Sequence, residues 1–395
     1  MSLTADDIRN CTMIAMDQPP WWPEKVDNKF KFTVRITDSY TSCRLQEIIP
    51  TGRICAVDWD DGTIDERVNP QATHTYNSPG TYQITITYPL EYPHASFTGF
   101  GTRFFTPAES VVSIDTKFPK IFKDALTFYI GRQLFSGCSS LSKIPKGLFD
   151  YWPNTGVTLS RCFYGCSSLQ EIPAGLFKSC IKVVDFSYCF YGCSGLQEIP
   201  ANLFRYCEEA TDFSYCFYGC SGVQTMADGI FDYCTGAMDF SYCFDRCFGL
   251  QEIPVGLFDY CTEVTTFSYC FRYCYSLEEI PVGLFDSCTE VTTFSYCFYY
   301  CIGLKGIPQG LFDSCTEVTN FDYCFYNCYN VIAIPSNLFG YNSLIERIEH
   351  GFDNCRMATS VPALWVSHPS IRWHTQCFYR CYAASNYQNI PSDWK

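Results

Sequence analysis

The sequence predicts a repeat solenoid of 27-residue coils with a small all-β domain in front of it. The first observation is a Cys-Phe pair that recurs every 27 residues, with its cysteine at Cys189, Cys216, Cys243, Cys270, Cys297 and Cys324. The second is the run Phe30, Phe32, Val34 and Ile36, which alternates with polar residues at the period of a half-buried strand. The third is the composition, since 47% hydrophobic and 18% aromatic residues supply a large core.

The repeat unit reads Phe-Ser-Tyr-Cys-Phe-x-x-Cys-x-x-Leu-x-x-Ile-Pro-x-x-Leu-Phe-x-x-Cys-x-x-Val-Thr-x. The Phe-x-x-Cys element that follows the first cysteine of the unit marks ten coils, from Phe135–Cys138 to Phe378–Cys381, and outer copies are degenerate, with Leu134 and Gly351 in place of that first cysteine, as expected of terminal coils that face solvent. Leu-x-x-Ile-Pro predicts a short parallel strand ended by proline, and the flanking motifs predict single helical turns. A lone coil cannot bury its apolar residues, so the coils are expected to stack.

This unit resembles the BspA-type leucine-rich repeat of bacterial surface proteins. The match is carried by Cys270-Phe271-Arg272-Tyr273-Cys274-Tyr275-Ser276-Leu277, and the resemblance covers residues 133–395. It implies a right-handed, leucine-rich-repeat-like stack with a parallel sheet on one face, used for attachment to host proteins, cells or glycans. The 27-residue unit and its third cysteine depart from the family, so the ligands of the family are not carried over.

The front domain carries two turn motifs. A strand ends at Asp58-Trp59-Asp60-Asp61-Gly62, and His74-Thr75-Tyr76 leads into a Pro79-Gly80 turn. Together they resemble the PKD-type β-sandwich, an immunoglobulin-like fold that serves as a spacer or protein-contact module, with Asp60 where that family has Gly. The predicted organisation is an N-terminal segment at 1–27, a PKD-like sandwich at 28–90, a connector and solenoid cap at 91–132, and the solenoid with a degenerate C-terminal cap at 133–395.

Charge and hydropathy argue against nucleic-acid binding and against a membrane-spanning helix. The net charge of −14 repels a phosphate backbone, so nucleic-acid partners are not expected. No apolar run reaches the roughly 20 residues of a membrane-spanning helix. The first nine residues lack the features of a secretory signal, so none is expected in this chain, whereas the family resemblance implies a cell-surface or extracellular location.

The cysteines and the acidic turn leave alternatives open. The 27 cysteines fit three interpretations, namely buried thiols, disulfides between coils, or zinc ligands, of which the buried thiol is favoured because cysteine behaves as a small hydrophobe. Asp58, Asp60, Asp61 and Asp65 fit either a calcium site or ordinary turn chemistry. His74 fits a structural strand position better than a ligand.

No catalytic constellation is found in the sequence, so we expect no enzymatic activity, no catalytic residues, no cofactor and no bound metal. The candidate ligand-binding residues are the variable polar pairs of the predicted strand. They are Gln170, Glu171, Gln197, Glu198, Gln251, Glu252, Glu278 and Glu279. A second acidic column (Asp232, Asp259, Asp286 and Asp313) fits a solvated surface or an acidic binding face. A tyrosine column (Tyr164, Tyr191, Tyr218, Tyr299 and Tyr326) fits either repeat packing or platforms on which sugar rings stack.

The leading functional hypothesis is a non-catalytic binding or adhesion protein that presents an extended solenoid surface to a protein or carbohydrate partner. The alternative is a structural spacer of a larger assembly, such as a phage tail or a surface layer.

Overall fold

The computed structural model describes residues 28–46, 55–68, 71–88, 105–106, 108–120, 132–152 and 157–395. The predicted N-terminal segment (1–27) and part of the predicted connector lie outside these residues.

Two antiparallel sheets form the front of the molecule. The first has the strand order β4-β3-β6-β1-β8, with β1 at Lys29–Ile36, β3 at Cys55–Asp58, β4 at Ile64–Val68, β6 at Gly80–Thr87 and β8 at Val111–Ile114. The second has the order β5-β2-β7, with β2 at Ser42–Gln46, β5 at Gln71–Thr75 and β7 at Phe105–Thr106. The alternation predicted for β1 is confirmed, because Phe30, Phe32, Val34 and Ile36 are buried. Residues of both sheets contribute to one hydrophobic cluster.

Strand β8 joins the front sheet to the solenoid. It pairs antiparallel with β1 on one edge, and Ser113 forms a parallel bridge with Lys143 of the first coil on the other. The amide of Ser142 donates to the carbonyl of Val112 at 2.9 Å, and that of Ile114 donates to the carbonyl of Lys143 at 3.0 Å. Strands β7 and β8 both lie in the range predicted as a connector.

The solenoid is held together by parallel pairing between equivalent residues of adjacent coils. Four strands are long enough to name: β9 at Val157–Thr158 pairs with β10 at Val183–Asp185, and β11 at Glu198–Ile199 pairs with β12 at Thr225–Met226. Elsewhere the pairing consists of single bridges one coil apart, such as Asp212 with Asp239. The repeat fold and its parallel pairing agree with the expectation from the sequence.

The predicted helical turns are tighter than α-helical turns. In each, an amide donates to the carbonyl three residues earlier, as from Cys189 to Phe186 at 3.0 Å. Among the described residues the one α-helix is α1, at Leu364–Ser367, and 3-10 helices lie at Ala108–Ser110, Tyr387–Asn389 and Ser392–Trp394. The spacing of apolar residues is similar in both kinds of turn, so the sequence pattern did not separate them.

A column of phenylalanines forms the centre of the solenoid. One ring per coil stacks on the next from Phe135 to Phe378, with centroid separations of 5.3 to 5.6 Å. All ten rings are fully buried. The ten coils counted from Phe-x-x-Cys therefore correspond to ten stacked layers.

Candidate functional site

The eight predicted binding residues are all exposed, and they lie at equivalent positions of the solenoid coils. Backbone bonds link the column, since the amide of Gln224 donates to the carbonyl of Gln197 at 2.9 Å and that of Gln251 donates to Gln224 at 3.0 Å. The coil between the predicted pairs supplies Gln224 and Thr225. We call the exposed surface formed by residues 170–171, 197–198, 224–225, 251–252 and 278–279 the polar strip.

The polar strip has a defined end at its C-terminal side. The next coil places Lys305 in the column, and its ammonium group forms an ion pair with Glu278 across the coils. The following coil carries Ile332, which is exposed. The run of glutamine and glutamate thus ends after five coils.

At its N-terminal end the strip opens into a groove beside the front domain. The groove, with a volume of about 660 Å³, is lined by Arg35 of β1, Val112 of β8, Ser140, Ser142, Ser167, Ser168, Gly195 and the predicted residues Gln170 and Gln197. The periodicity of the repeat gives no signal for Arg35, because that residue comes from the front sheet. Arg35 lies beside the solenoid because β8 pairs with β1 of the front sheet and also bridges to the first coil.

Two tyrosine ladders run along another surface of the solenoid. The first is the predicted column, in which Tyr164, Tyr191 and Tyr218 stack at 4.6 and 4.5 Å, almost parallel. The second runs through Tyr188, Tyr215, Tyr242, Tyr269, Tyr296 and Tyr323 to His350, at 4.2 to 4.7 Å. The ring faces between neighbouring members of a ladder are covered. Sugar rings therefore have no free tyrosine face to stack on within a ladder, and the ladders present ring edges and hydroxyls.

The second ladder was not predicted, although its sequence signal is clear in hindsight. Its tyrosines have backbone φ angles of 56° to 62°, a left-handed conformation that is uncommon for residues other than glycine. They occupy the turn before the Cys-Phe pair, and this repeated turn aims every ring at the same side of the coil. The periodic Ser-Tyr-Cys-Phe motif marks their positions.

A groove of about 590 Å³ runs along the two ladders, whose rings pack against each other, as Tyr188 does against Tyr191 with 5.8 Å between ring centres. It is lined by Tyr164, Tyr191 and Tyr218 of the first ladder, by Tyr188, Tyr215 and Tyr242 of the second, and by Gln133, Ser136, Arg161 and Arg272. The guanidinium of Arg161 lies 4.7 Å from the ring centre of Tyr188, and that of Arg272 lies 4.9 Å from Tyr269. We call this feature the tyrosine groove.

An ion pair interrupts the first ladder beside the groove. Asp245 replaces the tyrosine that the column would have, and Arg272 of the next coil donates to its Oδ2 atom from Nε at 2.9 Å and from Nη2 at 2.6 Å. Asp245 is fully buried, and this burial raises its pKa to about 6 even though Arg272 acts in the opposite direction. The guanidinium of Arg272 is thereby fixed.

The acidic turn of the front domain has its carboxylates engaged by protein donors. Asp61 accepts bonds from the backbone and hydroxyl of Thr63 and contacts His74 Nε2 at 2.7 Å. Asp65 accepts from the Trp59 indole at 2.8 Å, and Asp60 accepts from the Gln83 amide at 2.8 Å. These bonds agree with turn chemistry, and the bond from Thr63 is the largest influence that lowers the pKa of Asp61 to about 2.

The same turn explains two further sequence observations. Asp60, which stands where the resembling family has Gly, adopts a φ of 65°. Asp58 Oδ1 accepts the amide of Asp60 at 3.0 Å, a local bond that stabilises this conformation. His74 stacks on Trp59 at 4.9 Å, which is a structural role.

All 26 cysteines in the described residues are free and buried, in agreement with the buried-thiol interpretation. In one column each thiol donates to the carbonyl of a phenylalanine in the preceding coil, as from Cys274 to Phe244 at 3.3 Å. Burial raises the pKa of these thiols far above its ordinary value, so they are not nucleophiles. No group of three or more His, Cys, Asp or Glu within the described ranges is arranged to hold a metal ion.

The acidic column predicted at Asp232, Asp259, Asp286 and Asp313 belongs to turns. The amide of Asp286 donates to the carbonyl of Gly283 at 3.0 Å, and that of Asp259 donates to Gly256 at 3.1 Å. These glycines have φ angles of 76° and 75°, a left-handed conformation that glycine adopts most readily. Over the part of the chain that the structure describes, no helix is both long and apolar enough to span a membrane.

Comparison with known families decides the classification. The profile of the BspA type leucine rich repeat region matches in six copies, over residues 114–332 and 241–393, which is more than half of the chain. The chain belongs to the BspA type leucine-rich-repeat family. The resemblance drawn from Cys270 to Leu277 is thereby confirmed.

Two solved structures are similar to this BspA type chain at low identity. One is a leucine rich cell surface protein from Faecalibacterium prausnitzii, with 17% identity, a TM-score of 0.23, and coverage of 70% of this chain and 93% of that one. The other is an internalin from Listeria monocytogenes, with 7% identity, a TM-score of 0.13, and coverage of 68% and 87%. No curated protein matches the chain.

Proposed function

We propose that this BspA type repeat protein is a non-catalytic binding protein that attaches to a protein or glycan partner at a cell surface or outside the cell. The observation that carries the proposal is the polar strip, in which all eight predicted residues are exposed at equivalent positions of the stacked coils. Membership of a repeat family that generally serves as a binding scaffold supports it.

The repeated spacing of the strip suits an extended partner. Adjacent coils are joined by backbone bonds near 3 Å, so equivalent side chains recur at about 4.8 Å, the spacing of paired strands. A partner that contacts three or four coils gains affinity from simultaneous attachment without a deep pocket. Glutamate and glutamine side chains favour a basic or hydroxyl-rich partner, and salt is expected to weaken the binding of a basic one.

We also propose that the front domain is a PKD-like, immunoglobulin-like sandwich that acts as a spacer or contact module beside the solenoid. The bond of Asp61 with His74 supports this proposal, because it joins the Asp58–Gly62 motif to the motif that begins at His74. The left-handed Asp60 supports it as well, since glycine occupies that place in the resembling family.

The experiment screens protein and glycan arrays with the whole chain and then compares two triple variants. Glu198/Glu252/Glu279→Ala changes the polar strip, and Glu263/Glu290/Glu317→Ala removes the same charge from another exposed column. We expect the strip variant to lose at least tenfold in affinity while the control keeps the affinity of the unmodified chain. Equal affinities for the two variants would contradict the proposal. A screen without any partner would favour the structural spacer instead.

A further inference from the structure

We propose that the tyrosine groove is a second binding site, for a polysaccharide that carries carboxylate groups. This site is separate from the polar strip, because the tyrosine groove and the groove at the end of the strip have no lining residue in common. It also differs in chemistry, since the strip is acidic and the tyrosine groove contains guanidinium groups.

The first step is the charge at the groove. Arg161 lies at one end, and within the described residues no carboxylate forms an ion pair with it. Arg246 lies beside the groove, 5.7 Å from the ring centre of Tyr218, and likewise has no such ion pair. The charge of Arg272 is balanced by Asp245. Of the two guanidiniums that line the groove, that of Arg161 thus has no ion-pair partner to balance its charge, in a chain whose net charge is −14.

The neighbouring acidic column does not cancel this charge at the groove. Asp185, Asp212 and Asp239 accept the backbone amides of the serines two residues further along, at 2.7 to 2.8 Å. None of the three lines the groove. Arg161 is also pre-positioned, because its guanidinium is stacked on Tyr188. A pre-positioned guanidinium forms two parallel bonds with a carboxylate at a small entropic cost.

The second step is the nature of the walls. The phenols of Tyr191, Tyr215 and Tyr242 are protonated at neutral pH, as an ordinary tyrosine is, and burial raises their pKa values further, to about 12 for Tyr191. The walls are therefore rows of hydroxyl groups that donate and accept hydrogen bonds, which is the chemistry that matches a hydroxyl-rich chain. Because the ring faces are covered, the groove offers neither a stacking platform for bases nor an apolar recess for peptide side chains.

The third step is direction. The ladders extend through successive coils, so the groove runs along the solenoid and repeats its hydroxyls at each layer. A linear polysaccharide with regularly spaced carboxylates would place one of them on Arg161 and its hydroxyls along the walls. The extended, repetitive shape thus favours a polymer over a single sugar.

The test uses hyaluronate as the acidic polysaccharide, dextran as the neutral one and polyglutamate as the acidic peptide, with the full chain and titration calorimetry. We expect hyaluronate to bind with an affinity that falls as salt rises, and the other two probes to bind at least tenfold more weakly. Arg161→Gln should lose at least tenfold in affinity for hyaluronate, and Arg161→Lys should restore part of it. Tyr191→Phe, which removes one hydroxyl, should weaken binding severalfold.

The matched control is Arg205→Gln. Arg205 also lies over a tyrosine, 5.3 Å from the ring centre of Tyr233, but outside the groove, so this variant should bind hyaluronate normally. Glu263/Glu290/Glu317→Ala, which changes neither the tyrosine groove nor the polar strip, should also bind it normally. Thermal melts would show that each variant is folded. Absence of hyaluronate binding, equal binding of polyglutamate or dextran, or an unchanged Arg161→Gln variant would overturn the proposal.

Discussion

Asn342 shows what a buried cysteine contributes to this fold. It occupies the column that holds Cys234 and Cys315 in earlier coils, and its side-chain amide donates to the carbonyls of Phe312 at 3.0 Å and Cys315 at 2.8 Å. The thiol of Cys234 approaches the equivalent carbonyl of Phe204 at 3.5 Å. Cysteine and asparagine are both small, and here both are buried and donate a hydrogen bond to a backbone carbonyl. A disulfide or a metal site would not require a donor in this column.

This comparison predicts the behaviour of two substitutions at Asn342. Asn342→Ala leaves two buried carbonyls without this donor and should lower the free energy of unfolding by about 2 to 4 kcal/mol. Asn342→Cys restores the residue type of the column and should lose less than half as much. Chemical denaturation of the three proteins under reducing conditions checks the order. A cysteine variant as unstable as the alanine variant would contradict the role of the thiol as a donor.

The repeat period predicted the columns of equivalent residues, but it did not predict single residues that differ from the repeat unit. The columns of Tyr164 and Gln170 followed from the period, because equivalent positions of stacked coils must align. The period does not report how a side chain rotates about its own bonds, so the stacking of ring faces was not foreseen. Arg161 and the Asp245–Arg272 pair were not predicted, because the consensus sequence of the repeat unit does not show residues that occur in one coil only.

At the scale of the coil, the chain combines a rigid interior with turns of unusual backbone conformation. Phe271 lies in the phenylalanine column, 5.4 Å from Phe244 and 5.5 Å from Phe298. Tyr273, two residues later, has a φ of 61°, and the equivalent position is Gly192 or Gly219 in other coils. Within this short motif, Phe271 thus packs into the core and Tyr273 lies in the turn.

Substitution of these two residues should give unequal losses of stability. Phe271→Ala opens a cavity that both neighbouring coils border, so it should cost about 3 to 5 kcal/mol. Tyr273→Gly removes a partly exposed ring and relieves the left-handed backbone, so it should cost about 1 kcal/mol or less. Urea denaturation followed by circular dichroism measures both. Comparable losses would show that the assignment of inward and outward positions is wrong.

At the scale of the whole molecule, the front sheet and the solenoid share one hydrophobic cluster. Phe118 is buried between them, with its ring 4.9 Å from Phe30 of β1 and 5.1 Å from Trp152 of the first coil. The sequence predicted the repeat fold, and it predicted a connector and solenoid cap at 91–132, but β8 is short and its partners are distant in sequence. Pattern analysis therefore could not show that residues 111–114 also belong to the front sheet.

Phe118→Ala should destabilise both parts together. The cavity would border β1 and the first coil, so the cost is about 3 to 5 kcal/mol, and amide exchange should accelerate in both regions. Phe325→Ala is the matched control, since Phe325 is equally buried but lies in a coil far from the front sheet. It should accelerate exchange around its own coil and leave β1 protected. Faster exchange confined to one side of Phe118 would contradict the shared core.

The backbone bonds between coils point in opposite directions on different surfaces. Beside the tyrosines, the amides of Tyr188, Phe190 and Gly192 donate to the following coil, at 2.7 to 2.9 Å. Along the polar strip, the amide of Gln224 donates to the preceding coil at 2.9 Å. The peptide dipoles of the two surfaces therefore oppose each other, whereas those of an α-helix add up along its axis. A gene duplication that inserts one more coil accordingly adds peptide dipoles of both directions, whereas an added turn of α-helix adds dipoles of one direction only.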